Sequence, residues 1–282
     1  VSYVTNLGSD PFIIDDSNYL RHVAEVTDQS QPFSGGFEIR DYSRYGLGFY
    51  APRFTGEIFP RSKWDDLIKM QEDNQTSPWH IHKQNNAPVL DQDGYGYCWM
   101  YGTVAAVMNR YGAATGVIPH LSATGPAWQG KNGRNEGGWA GEAIEYITKF
   151  GIPTIQTWPE DGFDWRYARN HEQQLDAKRH NVVDFEELPS QNFDAAVSCL
   201  LDPVNPCPVT LGLAWWGHLI CGLRVVKIDG RTYGIEIVNS WKKTWGNEGY
   251  AVLAENKATA HEYIAVRRVT PRSMASTAAW YG

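Results

Sequence analysis

The sequence predicts an α+β fold, and two observations carry that prediction. Apolar residues recur at helical spacing in several segments before residue 202, whereas after Pro208 short apolar runs alternate with turn residues. Residues 1–57 stand apart as an arm or accessory segment. They are rich in Asp, Gly, Ser, Tyr and Phe, with short extended pieces such as Gly36-Phe37-Glu38-Ile39-Arg40 and one helical turn around Ser17 to Val26. Whether this arm covers an active site or docks on a partner stays open. The main domain is placed at residues 58–282. Asp73 to Ala87 is polar, contains Pro78 and reads as a loop, with His80 and His82 alternating as surface residues of a short strand. From Cys98 to Tyr111 the residues Trp99, Val104, Val107, Met108 and Tyr111 predict a helix that stops at Gly112. Further helices are predicted over Gly141–Phe150, closed by Gly151 and Pro153, and over Asn192–Leu201. Strands are expected at 209–213, 219–226, 232–238 and 249–253, with Ile264-Ala265-Val266 as another.

Composition narrows the function classes. A 282-residue chain with 42% hydrophobic and 20% charged residues can bury a sizeable core. Net charge −7 and the absence of a Lys/Arg run argue against a nucleic-acid binder, and Arg267-Arg268 with Arg272 reads as a solvated strand end. No apolar stretch is long enough to span a bilayer, so no membrane partner is expected. The first residues, Val1 to Thr5, lack the basic region and apolar core of a signal peptide. Four cysteines, Cys98, Cys199, Cys207 and Cys221, are few, which fits a cytoplasmic compartment or an assembled particle better than secretion. Cys199 and Cys207 could close an eight-residue step (207 − 199 = 8), with two reduced thiols the alternative. No cofactor or metal is expected: His80 and His82 have no nearby carboxylate or thiol cluster to complete a site. Asn74-Gln75-Thr76 fits a glycosylation pattern, and His22, His120, His171, His180 and His261 show no evident partners.

Four residues carry chemistry. A thiol is a strong nucleophile only as thiolate, so it needs an imidazole to take its proton, and the imidazole needs a third group to hold its tautomer. The chain supplies Cys98, His218 and Asn239 in that order, and Gln92 six residues before the Cys can offer its amide to an oxyanion (98 − 92 = 6). Gly94 and Gly96 let the backbone fold tightly enough for Gln92 and the Cys98 N–H to converge. Cys98 at a helix N-terminus would gain thiolate stabilisation from the helix dipole.

The segments around these residues resemble the papain-like cysteine proteases. Pro88 to Trp99 resembles that family's nucleophile segment, Asn135-Glu136-Gly137-Gly138-Trp139 its cleft-lining Gly-Gly segment, and Asn239-Ser240-Trp241 through Trp245 to Tyr250 its Asn motif. The family has His and Asn about 130–150 residues after the Cys; here the gaps are 120 and 141 (218 − 98 and 239 − 98). The resemblance implies a helical left and a β-barrel-like right subdomain with the active site in the cleft between them. It implies Cys98 as nucleophile, His218 as acid/base, Asn239 as its orienting group and Gln92 as oxyanion donor. Trp241 and Trp245 would support the pair, while Gly137, Gly138, Trp139 and Leu219 would bind an extended peptide or protein substrate. Trp64-Asp65 would echo the family's entry strand. Leu219 is bulky where the family often has a small residue, which implies a shallow pocket, and Gly217 replaces an acidic or amide residue. Two other readings stand beside the peptidase: a Cys-His cell-wall amidase, and a catalytically silent papain-like module of a larger assembly with residues 1–57 as its docking arm.

Overall fold

The computed structural model describes residues 11–28, 33–40 and 52–270. The chain opens with a two-residue strand β1 (Ile13–Ile14) and helix α1 (Tyr19–Thr27). A 3-10 turn (Arg61–Lys63) leads into α2 (Trp64–Asn74), followed by α3 (Pro78–Gln84), α4 (Cys98–Thr115), α5 (Thr124–Gly130), α6 (Ala140–Phe150), α7 (Trp165–Ala168) and α8 (His171–Ala177). Then come β2 (Val182–Glu187), α9 (Phe193–Leu200), β3 (Val209–Leu213), β4 (His218–Lys227), β5 (Tyr233–Val238), β6 (Tyr250–Ala254), the short α10 (Glu255–Ala258) and β7 (Glu262–Val269). Among the described residues the strands form one seven-stranded sheet in the order β1-β6-β5-β4-β3-β7-β2, antiparallel except where β1 joins the edge of β6. No helix of the described residues is long and apolar enough to cross a membrane.

Both faces of this sheet are covered, which explains why β4 reads as an almost unbroken apolar run. Leu219, Cys221 and Leu223 of β4 enter one core with α4 and α6, whereas Ile220 and Val225 enter a second core with Trp64 of α2 and the apolar face of α9. A register shift between Gly222 and Arg224 in the pairing with β5 adjusts the alternation. Helix α4 lies directly on β4 because residue 102 is glycine: a Cβ there would fall 2.7 Å from Leu219 Cδ2 and 3.1 Å from the Ile220 backbone. Gly102→Ala is therefore expected to cost about 1–3 kcal/mol by overpacking. The denaturation midpoint should fall accordingly, and urea unfolding of the variant beside the native chain checks it.

Several local expectations differ from the structure. Trp64 and Asp65 start a helix instead of a strand, with Asp65 and Asp66 in its first turn where carboxylates favour the helix dipole. The expected loop at 73–87 contains α3, started by Pro78 at its first position and by the Ser77 side chain accepting from the His80 amide. His80 and His82 are accordingly buried helix residues, not surface strand residues; His82 Nε2 lies 3.1 Å from the Tyr250 hydroxyl. Gly112 sits inside α4, where Ile81 and Ile118 leave no room for a side chain, and the helix ends at Gly116 with φ +73°. Arg267 is no solvated strand end: it is mostly buried and its guanidinium pairs with Glu186 at 2.7 Å, while Arg272 lies outside the described residues. His22 and His120 find partners in Glu25 and Glu160.

Candidate active site

Cys98 is the first residue of α4, and the turn before it is held from two sides. Asp93 and Gly94 take positive φ (47° and 75°), Tyr95 N donates to Gln92 O at 3.0 Å, and Gly96 N donates to Asn135 Oδ1 at 2.6 Å. The thiol faces the start of β4, where Leu219 N donates to Cys98 Sγ at 3.4 Å. His218, one residue earlier, leaves a turn whose last residue is Gly217 at φ +62°, so glycine meets a backbone requirement where the family resemblance led us to expect a polar residue.

Asn239 follows the end of β5 and places Oδ1 2.7 Å from His218 Nε2. That oxygen also accepts from Ser240 N at 2.7 Å, which fixes the amide's orientation, so Nε2 must carry the proton. The neutral ring then presents a bare lone pair at Nδ1, and Nδ1 is buried with no hydrogen-bond partner among the described residues. Trp241 stacks on the imidazole (centroids 4.3 Å apart) and Trp216 meets it edge-on at 5.0 Å. Trp245 backs both indoles and donates to Glu25 Oε2 of α1 at 3.3 Å. Gln92 is locked to the same loop as Asn239: its Oε1 accepts from Ser240 Oγ at 2.6 Å and its N–H donates to Ser240 O at 3.0 Å. The four residues Cys98, His218, Asn239 and Gln92 thus converge from α4, β4, the β5–β6 loop and the pre-helix turn.

No protein-family model matches the chain. It is similar to cysteine proteinase RD21A of Arabidopsis thaliana (27% identity over 197 residues, 62% of this chain and 41% of that protein). Zingipain-2 of Zingiber officinale matches at 27% (62% of this chain, 86% of the relative), and chymopapain of Carica papaya at 23% (76% and 64%). Among solved structures, procathepsin L 3 of the Tenebrio molitor larval midgut aligns with TM-score 0.54 at 17% identity, covering 94% of this chain and 82% of that one. The bromelain protease of Ananas comosus aligns with TM-score 0.53 at 17% identity, covering 66% of this chain and 97% of its own. The chain is thus similar in sequence to papain-like cysteine proteases and shares their fold.

The papain-like cleft of this chain is occupied by its own residues 33–38. Gln92 Nε2 donates to Ser34 O at 2.7 Å as well as to Tyr95 O at 2.6 Å, so a backbone carbonyl of the arm already holds this amide. Gly36 N and Phe37 N both donate to Gly217 O at 3.0 Å. Gly138 N donates to Gly36 O at 2.8 Å and Glu38 N to Gly138 O at 2.9 Å, a parallel bridge along the Gly-Gly segment. Phe33 stacks on Trp241 at 4.8 Å and Phe37 covers Gly212, so the segment is anchored by a ring at each end. Cys98 and His218 are completely buried.

The sequence-predicted residues fall into two groups. Gly137, Gly138 and Trp139 line the cleft beside the arm, and a Cβ at Gly137 would meet Gly36 O at 2.5 Å. Leu219 does not line it: its side chain packs against Gly102 in the core, and only its amide faces the thiol. Missing from the sequence reading is Glu262 of β7, whose buried carboxylate accepts from Ala140 N (2.7 Å) and Gly141 N (3.1 Å) at the start of α6. It ties the Gly138-Trp139 wall to the sheet. A carboxylate that joins two elements distant in sequence has no local signal; the Gly35-Gly36 pair flanked by Phe33 and Phe37 does have one, as a segment shaped for close backbone approach.

Burial sets the protonation states. It pushes the Cys98 thiol up to about 12, with the Leu219 and Trp99 amides only partly offsetting it. It lowers His218 to about 4 against the favourable Asn239 contact. Burial thus favours the neutral thiol over the thiolate expected from the helix N-terminus, because desolvation outweighs a dipole worth about 0.3–1 kcal/mol. His82 is also lowered by burial, to about 3, and Glu262 is raised by burial to about 7. Between pH 6.5 and 4.5, unfolding lets both histidines take up a proton and makes the carboxyl release one, a net gain of one proton from these three groups. Their combined contribution to stability should fall by about 1.4 kcal/mol per pH unit of acidification across that window. Urea midpoints measured at intervals through it check the slope, and His82→Gln should remove its share, leaving the histidine and carboxyl contributions to cancel.

Proposed function

We propose that this chain is a latent cysteine endopeptidase, with residues 1–57 as an arm on a catalytic domain formed by residues 58–282. The observation that carries this reading is the tautomer of His218. Asn239 holds the proton on Nε2, which leaves Nδ1 as an unpartnered base beside the next residue's contact with the Cys98 thiol. Once the arm leaves, His218 Nδ1 takes the thiol proton and the thiolate attacks the carbonyl carbon of an extended peptide or protein substrate. The oxygen of the tetrahedral intermediate takes the place of Ser34 O on Gln92 Nε2, with the Cys98 N–H as second donor. His218 returns its proton to the leaving amine, and water activated by the same imidazole hydrolyses the thioester. Gly138 would then offer to substrate the N–H and C=O that now bind Gly36 and Glu38, the mode of strand addition. No cofactor takes part in this scheme, and nucleic acid or membrane has no role in it.

The test is cleavage of casein and internally quenched peptides by an arm-released form, Gly36→Ala, beside Gly36→Ala/Cys98→Ala. Cleavage by the first and none by the second is expected. Equal cleavage by both would remove Cys98 from the reaction. A reactive thiol without any peptide cleavage would favour a silent module, and clearing of peptidoglycan alone would favour an amidase.

A further inference from the structure

A second pair of thiols lies on the far side of the sheet's strand β3, away from the cleft and unused by the mechanism. Cys199 is near the end of α9 and Cys207 just precedes β3; both are buried and neither is in a disulfide. Cys207 N donates to Cys199 O at 3.3 Å, and the two thiols hydrogen-bond to one another. The backbone bond and the thiol–thiol contact together set the two side chains next to one another, the arrangement a disulfide requires. Arg267 Nη1 donates to Cys207 Sγ at 3.4 Å, and the same thiol donates to Asn205 O at 3.0 Å. The hydrogen bond from Cys199 and the guanidinium groups of Arg110 and Arg267 hold Cys207 below the usual thiol value. The intervening loop also receives the catalytic helix: Arg110 of α4 donates to Pro206 O at 3.1 Å and Asn205 Oδ1 at 2.8 Å.

We propose that Cys199 and Cys207 are a reversible dithiol–disulfide site, oxidised by a small peroxide, that clips the loop joining α9 to β3. Cys207, the sulfur with cationic neighbours, attacks one peroxide oxygen. The O–O bond breaks, and the leaving hydroxide takes the Cys207 proton as water. The resulting sulfenic sulfur is attacked by Cys199; its S–O bond breaks, and the second hydroxide leaves with the Cys199 proton. Two electrons pass from the sulfurs to the peroxide, and two waters form. A dithiol reductant reverses the bond by exchange. Cys221 lies in the other core, with Cys98, and takes no part in this scheme.

The experiment treats full-length protein with hydrogen peroxide and maps its cysteines by mass spectrometry after denaturing alkylation. Expected is a loss of 2 Da in a cross-linked peptide pair containing Cys199 and Cys207, restored by dithiothreitol, with Cys221 still alkylated. Cys221→Ser should keep the response, and Cys207→Ser should lose it. Two unlinked thiols at 199 and 207 after treatment, a bridge to Cys221, or oxygen adducts on Cys207 without a bridge would each overturn the proposal. The direct mapping needs no variant, so a misfolded mutant does not blunt it.

Discussion

Gly36→Ala is expected to raise the rate of Cys98 alkylation by about 10- to 1000-fold while leaving the fold of the catalytic domain intact. Gly36 has φ +120°, and a Cβ there would overlap the carbonyl of Gly96. Gly96 cannot retreat, because its N–H is held by Asn135 at 2.6 Å in the turn that sets Cys98. The arm has to yield instead, and it loses the hydrogen bonds that residues 36–38 make to Gly217 and Gly138. At about 0.5–1.5 kcal/mol each, losing two or three of these gives the stated range. A thiol-reactive probe timed against native and variant protein measures the effect, with circular dichroism to verify the fold. An unchanged rate would mean that the arm tolerates the side chain or that something else buries the thiol.

His218→Ala, made in that opened background, is expected to lower kcat/KM on a peptide by about 10²–10⁴-fold. The same substitution should reduce thiol alkylation near neutral pH to that of an ordinary thiol, since the imidazole no longer takes the Cys98 proton. Asn239→Ala should cost less in rate. Its distinguishing sign is a changed pH profile, because the Nε2 proton loses its acceptor and the ring can adopt the other tautomer, with the protonated nitrogen toward the thiol. A purely structural role for Asn239 would lower stability without moving that profile. Loss of rate in Asn239→Ala equal to that in His218→Ala would contradict the division of labour.

Most of the candidate site's framework is legible because it rests on local signals. The turn before Cys98 has its glycines, the helix after it has its apolar period, and the strands after Pro208 are short apolar runs punctuated by turn residues. The arm's course through the cleft was not legible, because six residues bound mainly through backbone groups leave almost no side-chain pattern. Several short helices were hidden for a similar reason: α3, α5 and α8 are seven residues each and α7 and α10 four, too short for a period to show, and α3 is betrayed only by Ser77-Pro78. The protonation states were misjudged from sequence because the helix N-terminus is a local feature. The burial that outweighs it comes from a core assembled from residues far apart along the chain, Phe37 of the arm among them. Leu219 was assigned to the substrate pocket by its position after the His, yet strand alternation turns it into the core opposite Gly102.

The most direct measurement is the rate of Cys98 alkylation by iodoacetamide from pH 5 to 10, in the native chain and in Gly36→Ala. A latent peptidase should show a native thiol that reacts slowly throughout, consistent with burial pushing it up to about 12, and a variant thiol that reacts well below the ordinary thiol range of about 8.5. A native thiol as reactive at pH 6 as the variant's would contradict the occluded, neutral pair on which the account rests.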